Sequence, residues 1–210
     1  MIVGRVVDEN RVLIWNAEDA YKLRKDHRIV GNYVGALPCK PRQDVWLGLP
    51  LELMPEETTL LLEQGVLRLH EAQRPPLPNI HSTEEGVVEK KLKMSTDDHA
   101  TVDRVVRWSF PQTPQEELHY KVFRDLWTKG YYLTAGLKYG GDYLVYPGDP
   151  FLVHSHYVAI VKDSSEVFST QQLILAGRVT TKVKKNVLLC SQNTSNGELV
   201  YITVQWTGIT

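Results

Sequence analysis

Between residues 146 and 185 the sequence holds a tyrosine in a Gly/Pro-rich turn, two histidines spaced by one residue and a lysine pair. His154-x-His156 could form half of a metal site, since residues two apart on a strand face the same way. A third ligand is needed, and the nearest carboxylate upstream is Asp149. The same histidines also read as ordinary packing or surface residues. A metal nuclease of the restriction type would want an acid followed by E-x-K on the next strand, and residues 142–162 contain no such pair. Neither G-x-x-x-x-G-K-[ST] nor G-x-G-x-x-G occurs, so nothing supports a nucleotide cradle. No serine lies in a G-x-S-x-G elbow. What remains is a metal-free set: Tyr146 before Pro147-Gly148-Asp149-Pro150, a histidine soon after, and lysines that follow the next helix. Taken alone, the tyrosine reads as structural.

These residues need elements to position them. Thr113-Pro114-Gln115-Glu116 predicts a capped helix start, with Thr as cap, Pro in the first turn and Glu three residues on. Leu118, Val122 and Leu126 form its buried stripe, widened by Phe123 and Trp127, and Gly130 stops it. Strands are expected at 131–135, 142–146 and 156–161. Ser169 or Thr170 should cap a helix running to about Val183. Strands 186–192 and 199–206 follow, around the turn signal Asn196-Gly197. This order implies a mixed sheet flanked by two helices.

Upstream, 2–7 and 11–15 read as strands, 17–27 as a helix with Ala20 and Leu23 inward, and Pro55-Glu56-Glu57 as a helix start before Gly65. Residues 66–70 read as a strand. The fold class is therefore α+β: a small N-terminal domain over 1–71, a proline-rich and charged linker over 72–112 with room for one short ordered piece, and a C-terminal domain over 113–210.

Composition bounds the function. The chain has 210 residues and net charge −1, which argues against holding nucleic acid by bulk electrostatics alone. From Leu118 onward there are nine Lys/Arg against six Asp/Glu, and before it fifteen against nineteen, so the basic half is the one with the candidate chemistry. Cys39 and Cys190 show no metal-type spacing; they exclude a cysteine zinc cluster and argue against a disulfide framework. No apolar run reaches the ~20 residues of a membrane span, and MIVGRVVDEN is too soon charged for a secretory signal. The expectation is a soluble intracellular protein.

KYGGDYLVYPGDP (138–150), HSHYVAIV (154–161) and LAGRVTTKVKKNVLLC (175–190), preceded by FRDLWTKGYYLTAG (123–136), resemble the catalytic domain of the tRNA-splicing endonuclease family. The PGDP and the HSHY resemble its eukaryotic catalytic subunit associated with the 3′ splice site. The resemblance is strong over about 118–206. It is looser over the first seventy residues, where GALP (35–38) and GLPLELMPEE (48–57) fit. Residue by residue, it implies Tyr146, His154 and Lys185 as catalytic, with Lys182 and Lys184 close to the last. It further implies Arg178 and Trp206 as the pair that sandwiches a flipped base at the splice-site bulge. Animal members carry a longer charged insert where this chain has about forty residues.

The resemblance implies no cofactor or metal, because RNA brings its own nucleophile, the 2′-hydroxyl. A phenol with an ordinary pKa near ~10 is a poor base until a cation stabilises its phenolate. A lysine can do that and also neutralise phosphorane oxygens, while a histidine, titrating near neutrality, suits protonation of the leaving 5′-oxygen. The implied products are a 2′,3′-cyclic phosphate and a 5′-hydroxyl. The implied substrate is precursor tRNA. The implied partners are other subunits of the endonuclease, as a heterodimer within a heterotetramer that dimerises through late strands, in the nucleus and without a membrane. The alternative is a non-catalytic scaffold or RNA-binding subunit of the same complex. A stand-alone RNA-binding module is disfavoured by the neutral charge and the absence of RRM or KH signatures.

Overall fold

A computed structural model describes residues 1–36, 47–71 and 106–207. Cys39 and most of the expected linker lie outside the described residues. The N-terminal unit is a five-stranded sheet of β1 (Ile2–Asp8), β2 (Arg11–Ile14), β3 (Asn32–Gly35), β4 (Gly48–Leu53) and β5 (Leu67–Glu71), in the order β3-β4-β2-β1-β5. Only β1 and β5 run parallel. Helix α1 (Ala17–His27) is capped by Asn16, whose side chain accepts from the backbone N–H groups of Glu18 and Asp19. Its inward residues are Ala20 and Leu23, as the sequence predicts. Helix α2 spans Pro55–Glu63, also where expected.

Strands β3 and β4 were not expected, for a physical reason. Gly48 and Pro50 disguise β4, since proline cannot donate to a ladder. The structure tolerates it because the β3–β4 register is already irregular between Tyr33 and Gly35. A Cβ on Gly35 would lie 1.8 Å from the Leu49 carbonyl oxygen, so only glycine fits that approach.

The C-terminal unit is the expected mixed sheet with two helices. Strands β6 (Tyr132–Ala135), β7 (Tyr143–Tyr146), β8 (Tyr157–Val161), β9 (Asn186–Gln192) and β10 (Leu199–Val204) lie in the order β10-β9-β8-β7-β6. All neighbours are antiparallel except β8 and β9, which are joined through helix α4 (Thr170–Lys182). Helix α3 (Pro114–Thr128) has the capping box read from Thr113 and Glu116. The turn after β9 is looser than the Asn196-Gly197 signal implies. It occupies 193–198, and of the two residues only Gly197 has positive φ, so this is not a two-residue hairpin.

Side-chain alternation assigns the two faces of this sheet. Tyr143, Val145, Ala159, Val161, Leu188 and Cys190 join α3 in the main core, and burial pushes the Cys190 thiol up to about 12. Leu144, Val158, Ile160 and Val187 are buried on the opposite face, the side on which α4 packs against β9. The main core is shared between the two units, since Leu60 and Leu61 of α2 belong to the same cluster as Leu118, Val122 and Phe123 of α3. Residues 106–112 run along α2, with Phe110 buried and Trp108 Nε1 donating to Thr59 Oγ1 at 2.8 Å.

Glu57 on α2 is fully buried. Its carboxylate accepts the backbone N–H groups of Val30, Gly31 and Met54 at 3.3, 3.1 and 2.9 Å, tying the entry of β3 to α2. Desolvation outweighs those three donors and pushes the carboxyl up to about 7. A carboxyl whose folded pKa is raised contributes stability that is full below its unfolded pKa and is lost as pH rises through its folded one. Unfolding free energy should therefore fall between about pH 4.5 and 7, with a slope approaching 1.4 kcal/mol per unit. Glu57→Gln should remove that part of the slope. Denaturant titrations of both proteins at several pH values across this window check it, and parallel slopes would refute it.

Candidate active site

The register of four strands collects the candidate residues. Val145 of β7 stands opposite Tyr157 of β8, and Tyr157 opposite Asn186 of β9. One step outward along the same row come Tyr146, His156 and Lys185. His156 is pinned between its neighbours by its backbone: its N–H donates to the Val145 carbonyl at 2.9 Å, and its carbonyl accepts from Asn186 N–H at 3.0 Å. On the far side Val204 of β10 pairs with Val187. Continued by two residues, that register sets Trp206 opposite Lys185. With strands about 4.8 Å apart, Tyr146 and Lys185 begin about 10 Å apart in backbone, a distance their side chains can close.

Tyr146 ends β7 and is half-buried. Val145 points into the α3 core, so Tyr146 points to the α4 face. His154 is exposed in the loop after β7 and precedes β8 by three residues, so the pair His154 and His156 lies on a strand lead-in rather than within the strand. Between them Ser155 is buried. Asp149, the carboxylate that a metal at the histidines would recruit, is occupied otherwise. It receives the Arg24 guanidinium, which holds its carboxyl below the usual carboxylate range. Among the described residues, no three His, Cys, Asp or Glu side chains are grouped so as to hold a metal ion.

Lys185 is positioned by the end of α4. The N–H groups of Val183 and Lys185 both donate to the Thr180 carbonyl, and Lys184 takes a left-handed φ of 56° to turn the chain into β9. Lys185 Nζ donates to the Val183 carbonyl at 3.3 Å and lies 5.6 Å from the centre of the Tyr139 ring. Tyr139 went unassigned in the sequence although it lies in KYGGDYLVY. It sits in a short 3₁₀ turn (Leu137–Tyr139) within the loop joining β6 and β7. That loop folds back over the α4 face: a Cβ on Gly141 would come within 2.4 Å of Val158 Cγ1. Only the tertiary structure reveals that Tyr139 lies beside Lys185.

Arg178 and Trp206 come together as well, with the guanidinium 5.8 Å from the indole centre. Trp206 also packs against α4, and a Cβ on Gly177 would lie 3.3 Å from its own Cβ. No hydrogen bond, ion pair or ring contact among the described residues joins this pair to Tyr146, His154 or Lys185.

Residues 3–72 match the family described as TSEN34-like, N-terminal domain, and residues 117–201 match the tRNA intron endonuclease, catalytic C-terminal domain. The tRNA-splicing endonuclease of Hyperthermus butylicus is 32% identical over 75% of this chain and 74% of its own length. The chain belongs to the tRNA-splicing endonuclease family. Within that family, the human tRNA-splicing endonuclease subunit Sen34 is 29% identical, with both chains covered in full. The probable subunit sen34 of Schizosaccharomyces pombe is 25% identical over 89% of this chain and 86% of its own. The human alignment extends over 311 positions, so that relative has stretches with no counterpart in these 210 residues.

The turn at Lys184 offers a way to separate the neighbouring lysines of this endonuclease. Lys184 serves the backbone, and its left-handed φ suits glycine better than lysine. Lys184→Gly should therefore leave cleavage within about threefold of wild type, whereas Lys185→Ala should lose about 10²-fold or more, the scale of removing one group that stabilises charge in the transition state. Single-turnover cleavage by each variant checks this; the opposite ranking would move the catalytic lysine to Lys184.

Proposed function

We propose that this chain is a catalytic subunit that cleaves intron-containing precursor tRNA at a splice site, the 3′ site being the expected one. The single observation that supports this reading most is the row at one end of the C-terminal sheet, with Tyr146 and Lys185 on it and His154 just beyond. Tyr146, as phenolate, takes the proton of the ribose 2′-hydroxyl. The 2′-oxygen bonds to phosphorus while the bond from phosphorus to the 5′-oxygen breaks. His154, as imidazolium, supplies the proton that the departing 5′-oxygen takes up. Lys185 favours the phenolate and balances charge on the phosphorane oxygens. The products are a 2′,3′-cyclic phosphate and a 5′-hydroxyl, and no electrons are exchanged. Each proton transfer is typically worth about 10²–10⁴ in rate.

Relatives named as endonuclease subunits support a multi-subunit enzyme. β10 is an outer strand with Val200 and Ile202 exposed, which suits a dimer made through late strands. A heterodimer within a heterotetramer, working in the nucleus, completes the proposal. Among the described residues, no helix is long and apolar enough to cross a membrane.

The deciding experiment is cleavage of an intron-containing precursor tRNA by the assembled enzyme, with analysis of the product ends. Tyr146→Phe and His154→Ala should each slow the chemical step by about 10²-fold or more without disassembly, and His156→Ala should do less. Cleavage should persist in EDTA when polyamine keeps the RNA folded. Wild-type rates in both Tyr146→Phe and His154→Ala would leave the scaffold reading standing.

Arg178 and Trp206 are proposed to hold a splayed base of the splice-site bulge. Both groups are flat, and stacking is worth roughly 1–3 kcal/mol per base. The double substitution to alanine should weaken cleavage of bulged RNA at subsaturating concentration while the protein stays folded. An unchanged rate there would end the clamp assignment.

A further inference from the structure

The loop that carries the site, residues 147–153 between Tyr146 and His154, is held from outside its own domain. Asp149 organises it from within: its side chain accepts from Phe151 N–H at 2.8 Å, and its carbonyl accepts from Leu152 and Val153 N–H at 2.8 and 3.0 Å. That knot is gripped from outside by Arg24 of α1, in the N-terminal unit. The guanidinium meets both Asp149 carboxylate oxygens, with Nε at 2.9 Å from Oδ2 and Nη2 on Oδ1, and its flat face lies 3.7 Å from the centre of the Phe151 ring. The Arg24 side chain is only 16% exposed, although Phe151 itself is 71% exposed. Besides this stack, the ring lines a cavity together with Val30, Tyr33 and Leu47 of the N-terminal unit.

We propose that Arg24 is a positioning residue for cleavage, fixing through Asp149 and Phe151 the path of the loop that sets His154 relative to Tyr146. His154 makes no hydrogen bond of its own among the described residues, so its place is set by the backbone around it. Among the described residues, that backbone is held at the end of β7, by the Arg24 grip, by the buried Ser155 and by the ladder bonds of His156. Of these only the Arg24 grip comes from another domain. A lysine could not replace it, because one ammonium can neither span both carboxylate oxygens nor stack on the ring. The pair thus makes the N-terminal unit part of the catalytic geometry.

This inference rests on His154 and Tyr146 acting as proposed, so the test carries both. In the assembled enzyme with a precursor tRNA transcript, Arg24→Ala should lower the single-turnover rate at saturating RNA by about 10- to 100-fold, the scale of an ångström-sized misplacement. RNA affinity should stay within about threefold. Arg24→Lys should recover only part of the rate. Asp149→Ala should resemble Arg24→Ala, and the double variant should be little worse than either single one, as expected of partners in one interaction. A loss under twofold, a loss that vanishes at saturating RNA, or independent multiplying losses would each overturn the proposal. If Arg24→Ala does not assemble, Arg24→Lys and Asp149→Asn carry the test, and wild-type rates in both overturn it. Tyr146→Phe and His154→Ala run alongside: if they keep full rate, the catalytic assignment fails, whereas if they lose rate and Arg24 variants do not, only the positioning role fails.

Discussion

Two parallel neighbours, β8 and β9, sit inside an otherwise antiparallel sheet, and the site depends on that pair. Parallel strands start at the same end, so the chain must travel back over the sheet between them, and α4 is that return. Their antiparallel outer neighbours, β7 and β10, finish where β8 and β9 begin. One end of the sheet therefore gathers the last residue of β7, the lead-in to β8, the turn into β9 and the exit of β10. Tyr146, the histidines, Lys185 and Trp206 occupy these four places. A slip of one residue in any of these pairings would turn its side chain to the other face of the sheet. The buried rows on either side oppose such a slip, with Val145, Ala159 and Leu188 toward α3 and Leu144, Val158 and Val187 toward α4.

The N-terminal unit is tied to this sheet by polar groups as well as by the common core. Tyr143 of β7 donates from its hydroxyl to Glu56 of α2 at 2.7 Å, and desolvation with the adjacent carboxylate pushes its phenol well above the ordinary range. It thus stays a neutral donor. Trp127 Nε1 of α3 donates to the His27 carbonyl at 2.8 Å, and Arg28 returns a bond to the Trp127 carbonyl while lying over its ring. Such paired groups, being partly desolvated, lose heavily if one partner is removed. Together with the Arg24 contact they fix the angle between the two units at three separated points, which a purely apolar seam would not do.

What the sequence disclosed followed from how local each signal is. The boundaries of α1, α3, α4 and β9 were legible because caps and alternation are written in adjacent residues, as at Thr113 and Glu116 or Ser169 and Gln172. β4 was hidden by its own Pro50 and Gly48, and β3 by its shortness. Tyr146, His154, Lys185, Arg178 and Trp206 were proposed through the resemblance of long motifs, not through spacing. No reading of spacing could show that Tyr139 faces Lys185, or that Arg24 reaches Asp149 across 125 residues. In a helix, an arginine on the polar stripe looks the same whether it meets water or a partner.

The contrast between Arg24 and Lys185 is itself informative about the proposed reaction. Arg24 is neutralised by a carboxylate in a two-point contact, which suits a part that must not move. Among the described residues, Lys182, Lys184 and Lys185 at the end of α4 form no ion pair. Among the described residues, the Lys185 ammonium meets a carbonyl at 3.3 Å and the face of Tyr139. A cation over a partly exposed ring gains about 0.5–1 kcal/mol, and the carbonyls at a helix C-terminus add a modest attraction. Those contacts orient the ammonium without cancelling its charge. A carboxylate there would have to be displaced before a phosphate could approach, whereas a ring and a carbonyl leave the charge available to phosphorane oxygens and to a phenolate.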